Sequence, residues 1–388
     1  MSPEPVKFQS DDVRLHGHLI GRQGSRLDLN TPVLVIDEAA LSANIERMAA
    51  LAKAKGVRLR PHAKTHKSVE IARRQVAAGA VGVCCAKLGE AEALAAGGIE
   101  GLHVTSPVVA APGLKRLGEL NKVSAGLSVV ADDPRNVDAL AKIATPERPL
   151  GVFVDIDPGI HRTGVTSSEK AVELARRIQS HAALRYEGVQ MYCGREQHIE
   201  SFAERRAAIA ERMDYLRAIL ADLEAAGAKP AIVTGGGTGT HLIDLELGVL
   251  NELQVGSYIF MDDQYAACEL GADGAASSFE RSLFVETRVV SANSPGLVTL
   301  DGGFKAFATE GKPPTPAAGG PQGAVFFMGD EHSALVAPGI EQALAIGDMV
   351  RLNPPHCDPT VEHYESYHLL RGDTLVDIWP VSARGRAR

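Results

Sequence analysis

Between about residue 31 and residue 266 the chain repeats a two-part pattern. A short run of apolar, often β-branched residues is followed by a longer stretch in which apolar positions return every three or four residues. TPVLVID precedes ALSANIERMAALAKAKG, VRLRPHA precedes THKSVEIARRQVAAG, and VGVCCAK precedes LGEAEALAAGG. GLHVTSP, LSVVADD, LGVFVDID, YEGVQMY and AIVTGGG continue the strand-like half, with a charged helix expected over roughly 198–227 before the last of them. Strands alternating with helices write a parallel sheet with crossover connections. Roughly eight or nine units over about 235 residues predict a (β/α)8 barrel, with TPVLVID as its first strand.

Past about residue 266 the helical period fades. RSLFVETRVVSA, GLVTLDGG, GAVFFMG, DMVRLNP and TLVDIWPVSA are short β-like runs between turns rich in Gly, Pro and Asp, which predicts a mostly-β C-terminal domain. FATEGKPPTPAAGGPQG reads as a loop, because Pro and Gly break both regular structures. The barrel is expected over 30–265 and the β domain over 266–388.

Composition narrows the function. The formal charge is −8 and no Lys/Arg stripe or tail runs along the chain, so nucleic acid is not an expected partner and small molecules are. No segment holds the roughly 20 apolar residues a bilayer span needs, and nothing near the N-terminus reads as a secretion signal, which predicts a soluble, cytoplasmic protein with no membrane partner. The 5 cysteines (Cys84, Cys85, Cys193, Cys268, Cys357) contain no CxxC pair and are expected as free thiols.

Three stretches carry candidate chemistry. In VRLRPHAKTHKS the strand pattern ends near Ala63, which places Lys64 at a strand's C-terminal end, where barrel active sites are built. A partly desolvated amine there has the lowered pKa that Schiff-base chemistry needs; the alternative is a solvated helix start, the reading given to Lys67. VTGGGTGTH (233–241) follows one strand and NELQVGSYIF lies at the next, so backbone N–H groups with the Thr238 and Ser257 hydroxyls can surround a phosphate, or the glycines can be plain turns. VDIDPGIHRTGV (154–165) ends a strand with Asp155 and Asp157, then offers Arg162 either to an anionic cofactor oxygen or to Asp157 on the surface.

PHAKTHK, DPGIHRTG, GVQMY, GGGTGT, ELQVGSYIFMD, GDEH and PPHCDPT occur in the order seen in fold-type III pyridoxal-phosphate enzymes of the D-threonine aldolase and D-serine dehydratase group, which this chain resembles from about residue 28 to WPVSARGR. The resemblance implies an alanine-racemase-like barrel with a β domain that also receives the N-terminal segment 1–29, paired head to tail as a homodimer. It implies pyridoxal 5'-phosphate on Lys64, with Arg162 at its phenolic oxygen, Tyr192 beside its ring, and Gly236, Gly237, Thr238, Gly256, Ser257 and Tyr258 at its phosphate.

RLNPPHCDPT sets His356 and Asp358 two apart. In an extended segment both would point the same way while Cys357 faces elsewhere, and His plus carboxylate suits Mn²⁺, Mg²⁺, Co²⁺ or Zn²⁺ with open positions for substrate. The resembling dehydratases typically place a cysteine at the second position, so HCDPT favours the aldolase and a hard cation such as Mn²⁺. The implied reaction is retro-aldol cleavage of a D-β-hydroxy-α-amino acid (D-threonine, D-phenylserine) to glycine and an aldehyde, with the metal on the β-hydroxyl. Candidate bases are a metal-bound water and His198, Asp330 is a candidate substrate contact, Arg195 could meet a distal carboxylate, and His363 could alter metal preference. The alternatives are a D-serine or D-threo-3-hydroxyaspartate dehydratase, a β-hydroxyaspartate aldolase giving glycine and glyoxylate, a non-catalytic cofactor carrier and a metal-dependent barrel hydrolase.

Overall fold

The computed structural model describes residues 10–272 and 279–388. Among them, eight parallel strands form one sheet, ordered Arg58–Leu59, Glu252–Leu253, Ile232–Gly235, Leu184–Met191, Leu150–Ile156, Ser128–Ala131, His103–Val104 and Cys84–Cys85. An isolated parallel bridge between His62 and Cys84 joins the two ends of that order and closes the ring. The connecting helices bury one apolar stripe each. In Ser168–Gln179 the residues Ala171, Leu174, Ala175 and Ile178 are buried at helical spacing, and the Ser167 hydroxyl caps the first turn by accepting the Lys170 N–H. The expected long helix is Phe202–Ala225, capped by Ser201.

TPVLVID does not start this ring. Val33–Asp37 lies in a second sheet of nine strands among the described residues, antiparallel to Leu283–Ser294 and parallel to Ser366–Arg371. A short, continuously apolar run fits the middle of any sheet, so its period does not say which one it joins. Pairing and packing decide: Val33 and Val35 share a core with Leu19, Leu29, Phe284, Leu370, Leu375 and Ile378. The second sheet runs Ala324–Phe327, Ser333–Val336, Leu297–Leu300, Leu283–Ser294, Val33–Asp37, Ser366–Arg371, Thr374–Pro380, with Met349–Asn353 on Leu283–Ser294 and Thr315–Pro316 on Met349–Asn353.

Three of these strands escape the sequence pattern. Thr315–Pro316 falls within the segment expected as a loop, and Ser333–Val336 and Ser366–Arg371 lie outside the β-like runs. Ser366–Arg371 buries Tyr367 and His368 among its apolar residues, which interrupts the expected alternation. Of the segment 1–29, residues 10–29 are described, and they hydrogen-bond to the last strand's hairpin: Gly21 N–H to the Leu375 carbonyl at 2.8 Å, Arg26 N–H to the Asp373 carbonyl at 3.0 Å.

The chain forms two compact units. One holds the described residues up to Ala43, Ile259–Asp263 and Glu280–Arg384; the other holds Asn44–Tyr258, the described part of Gln264–Phe279, and Gly385–Arg388. All five cysteines are buried thiols. No helix among the described residues is long and apolar enough to cross a membrane.

Candidate active site

Strand Arg58–Leu59 leads through the bridge at His62 into a tight turn, Ala63–Thr65, which His62 caps by accepting the Lys64 N–H on Nδ1 (3.4 Å). Lys64 is thereby half-buried at a strand's C-terminal end. It lines a cavity of about 180 Å³ together with Arg162, Tyr192, Gly237, Thr238, Gly256 and Ser257, and with His62, Gln190, Gln254 and Tyr265. A larger hollow of about 760 Å³ between helices Leu88–Ala96 and Ala111–Val123 holds none of the motif residues.

Lys67 departs from its expected place on a helix surface. It is buried, takes a left-handed backbone (φ 50°), and its Nζ lies 3.2 Å from Glu90 Oε1. Glu90 Oε2 accepts the backbone N–H groups of Ala86 (2.7 Å) and Lys87. The pair thus fixes Ala86, which also lines the cavity. A buried carboxylate needs such a cation, and Lys67 is the nearby residue that reaches it.

Two glycine turns form one side of the cavity. Thr238 lines it, and its Oγ1 accepts the Tyr258 N–H at 2.9 Å, tying the first turn to the second. A Cβ on Gly256 would lie 2.8 Å from Thr65 Oγ1, and one on Gly237 would press on the Gln197 amide, so both positions need glycine for space. Gln197 Oε1 accepts the Gly239 N–H at 3.1 Å and its Nε2 donates to Thr240 Oγ1 at 3.0 Å. Gly236 and Tyr258 stand one layer back: Gly236 is left-handed (φ 72°), and the Tyr258 hydroxyl meets Gln75 Nε2 at 3.1 Å. These hydroxyls, N–H groups and side-chain-free positions fit a phosphate, and the half-buried amine of Lys64 in the same cavity fits the aldehyde of pyridoxal phosphate.

Arg162 is carried by a loop that strand Leu150–Ile156 and its continuation hold in place. Asp157 accepts the N–H groups of Gly159 (2.8 Å) and His161 (3.0 Å) and pairs with the His161 ring, so it is occupied by its own loop rather than by Arg162. The Arg162 guanidinium lies 5.5 Å from the Tyr192 ring centroid, within cation–π range. Beneath, His103 donates to Gln190 Oε1 (3.0 Å), which also accepts from Gln254, while Gln190 Nε2 donates to Asp155 Oδ1 (2.9 Å) and the Thr163 hydroxyl to Asp155 Oδ2 (2.7 Å). Burial pushes Asp155 up to about 6 and His103 down to about 4. Nothing in the local pattern marks this polar floor, since Gln190, Gln254 and His103 meet only through the closed ring.

His198 is exposed and stacks on Tyr265, itself a cavity residue, with ring centroids 4.7 Å apart; it does not line the cavity. Arg195 is exposed at the start of the turn Glu196–His198. Asp330 is exposed in the β unit, between strands Ala324–Phe327 and Ser333–Val336.

His356 and Asp358 are not in an extended segment. His356 precedes the helix Cys357–Glu362 and Asp358 lies in its first turn, because the buried Asp262 caps the helix by accepting the Cys357 N–H at 2.9 Å. Cys357 is buried while both flanking side chains are half-buried. His363 ends the helix and is exposed. His356 Nδ1 meets Glu310 Oε1 at 2.7 Å; the carboxylate accepts, so Nδ1 carries the proton and the Nε2 lone pair is left for a metal. Carboxylate-oriented imidazoles are the usual metal-ligating arrangement, so His356 is set up to serve as one ligand of a divalent cation. Glu310 hid in the segment read as a loop.

A separate group, Asp12, His16 and His368, brings three ligand atoms within 4.8 Å of one another. Here the tautomers argue against a metal. His16 Nε2 accepts the Asn30 N–H at 2.9 Å, so the proton sits on Nδ1 and is donated to His368 Nε2 at 2.7 Å. The ring nitrogen that would face a cation is a donor.

Residues 36–264, more than half of the chain, match the family described as alanine racemase, N-terminal domain, and residues 282–370 match a serine dehydratase domain. The chain is 38% identical to a 3-hydroxy-D-aspartate aldolase of Paracoccus denitrificans (strain Pd 1222), over 92% of this chain and 93% of that one. It is also 38% identical to a D-threonine aldolase of an Arthrobacter species, over 93% and 94%. The crystal structure of D-threonine aldolase from Filomicrobium marinum superposes with a TM-score of 0.88 at 36% identity, covering 93% of this chain and 97% of that one. A D-threo-3-hydroxyaspartate dehydratase of Delftia is more distant, at 29% identity. With its closed parallel ring, its strand-end lysine and glycine turns, and these aldolase relatives, the chain belongs to the alanine-racemase-like family, in the branch of the D-threonine and 3-hydroxy-D-aspartate aldolases.

Proposed function

We propose that this carbon–carbon lyase uses pyridoxal 5'-phosphate and a divalent metal to cleave D-β-hydroxy-α-amino acids into glycine and an aldehyde. The observation that carries the reading is the single cavity in which Lys64, Arg162, Tyr192 and both glycine turns meet. Lys64 holds the cofactor through its amine, and Gly237, Thr238, Gly256 and Ser257 take the phosphate, with Gly236 and Tyr258 shaping their turns. Arg162 neutralises the phenolic oxygen, and Tyr192 limits where the ring can lie. When bound, the cofactor supplies an electron sink for the charge left at Cα when the Cα–Cβ bond breaks.

His356 and Asp358 are proposed as the metal's ligands, with Glu310 fixing the His356 tautomer. When bound, the cation, Mn²⁺ in this reading, supplies Lewis acidity that lowers the pKa of the β-hydroxyl. His198 is the proposed acceptor of the hydroxyl proton and Asp330 a substrate contact; His198 reaches the cavity through Tyr265, so its imidazole would have to turn from that ring to act. A head-to-tail homodimer and a cytoplasmic location belong to the same proposal, the first resting on the alanine-racemase resemblance.

The equal identity to a 3-hydroxy-D-aspartate aldolase favours a second reading, in which the substrate carries a distal carboxylate and the aldehyde is glyoxylate. The test is to supply D-threonine, D-phenylserine, 3-hydroxy-D-aspartate and D-serine separately with Mn²⁺ and identify the products. Glycine with an aldehyde is expected, and the best of the first three substrates chooses between the readings. A keto acid with ammonia would overturn both in favour of a dehydratase.

A further inference from the structure

Behind the first glycine turn lies a group that the chemistry above does not use. Asp244, in the helix His241–Leu247, is 1% exposed. Its Oδ2 accepts the Thr240 hydroxyl proton at 2.7 Å, and Thr240 Oγ1 in turn accepts the Gly237 N–H at 3.2 Å and Gln197 Nε2 at 3.0 Å. A Cβ on Gly236 would collide with Oδ2, so the carboxyl touches the turn itself. Its other oxygen, Oδ1, is buried without a hydrogen-bond partner.

No ion pair to Asp244 occurs among the described residues. The titratable groups around it are Cys193, held as a thiol by burial, and His241, pushed by burial down to about 4 and donating from Nδ1 to the Thr238 carbonyl at 2.7 Å. Beyond Cys193 the charges are those of Glu196 and Arg212, paired at 3.3 Å, and Arg205 lies near His241. An ionised Asp244 would be a buried anion with one unsatisfied oxygen, directly behind residues that receive a phosphate dianion. Burial pushes it up to about 7, against the lowering by the Thr240 hydroxyl.

We propose that Asp244 is a positioning residue for the cofactor phosphate: as a neutral acid it braces residues 236–240 through Thr240, and the phosphate at Gly237 and Thr238 requires it to be uncharged, so the protein takes up a proton there as the cofactor binds. The proposal rests on the reading that pyridoxal phosphate occupies the cavity. Asn keeps the shape and an acceptor for Thr240 but never ionises.

The experiment measures the dissociation constant of pyridoxal phosphate from the visible band of the holoenzyme on dilution, in wild type and Asp244→Asn, across the neutral range. Every other titrating group is common to both proteins, so the ratio of the two constants isolates Asp244. That ratio is expected to rise roughly tenfold in favour of the variant from about pH 6 to about pH 8, as exclusion of the ionised form demands. Asp244→Ala, which removes the brace, is expected to weaken binding at every pH. A ratio independent of pH overturns the proposal. If Asp244→Asn does not fold, the infrared difference spectrum of wild type on cofactor binding decides: gain of a carboxylic-acid carbonyl band supports it and no gain overturns it. Absence of any visible band in wild type overturns this proposal and the cofactor reading together, whereas a band with a flat ratio overturns this one alone.

Discussion

The barrel cavity and the His356–Asp358 segment each start from a short motif, and the fold treats them differently. In the barrel, Lys64, Arg162, Tyr192, Thr238 and Ser257 each follow a strand of one parallel ring, and a closed parallel ring brings all its strand ends to one rim. Their position within the repeating unit was enough to gather them. In the β unit no such topology acts on His356 and Asp358. There the relative direction of two side chains depends on the local backbone, and an Asp262-capped helix replaces the extended segment. A spacing argument is only as good as the element it assumes.

The largest effect should come from Lys64. Lys64→Ala is expected to abolish the visible band and to cut cleavage by at least about 10³-fold, ~4 kcal/mol of transition-state stabilisation. A variant that kept the band would remove the cavity from the comparison altogether. Next is the buried pair beneath it. Lys67→Met leaves Glu90 charged without its cation and is expected to cost about 3–5 kcal/mol in urea unfolding, and adding Glu90→Gln should recover much of that. Were Lys67 a surface residue, the single change would be within about 0.5 kcal/mol of wild type.

His356→Ala sharpens the contrast from the other side. It should retain the visible band, lose bound metal by elemental analysis, and lower cleavage by about 10²-fold, ~3 kcal/mol. Glu310→Gln, which only reorients the imidazole, should weaken metal binding by about tenfold, the low end for an outer-shell partner because Glu310 is half exposed. Full activity in metal-free His356→Ala would make the β-unit motif a structural helix start and leave the barrel as the sole seat of chemistry.

The sequence alone carried the barrel's repeating unit and the strand-end lysine, because both are written in local periodicity. It could not carry partner choice. TPVLVID satisfies any buried strand, and only its register against Leu283–Glu286 and His368–Leu370 assigns it to the second sheet. Supporting polar residues were also illegible. Gln190 and Gln254 lie inside GVQMY and ELQVGSY and His103 in GLHVTSP with no local pattern that joins them, Glu90 sits in a helix among alanines, and Gln197 follows a turn with no motif of its own. Each acquires its role from a residue distant in sequence, as Gln197 does from Gly239 and Thr240.

The polar floor gives the most specific effect, through Asp155. Burial holds its carboxyl at about 6 against an ordinary 3.8, although Thr163 and Gln190 both donate to it. The folded state therefore binds this proton more tightly than the unfolded state. The stability it confers is fully present below about pH 4 and is lost as pH rises through about 6, a swing of up to about 3 kcal/mol. Asp155→Asn keeps an acceptor for Gln190 and removes the titration. The difference in urea unfolding free energy between variant and wild type should therefore grow in the variant's favour from pH 4 to pH 7, while other acid-sensitive groups cancel. A difference that stays constant would mean that Asp155 is ionised normally and that the floor beneath the cavity is wetter than its burial implies.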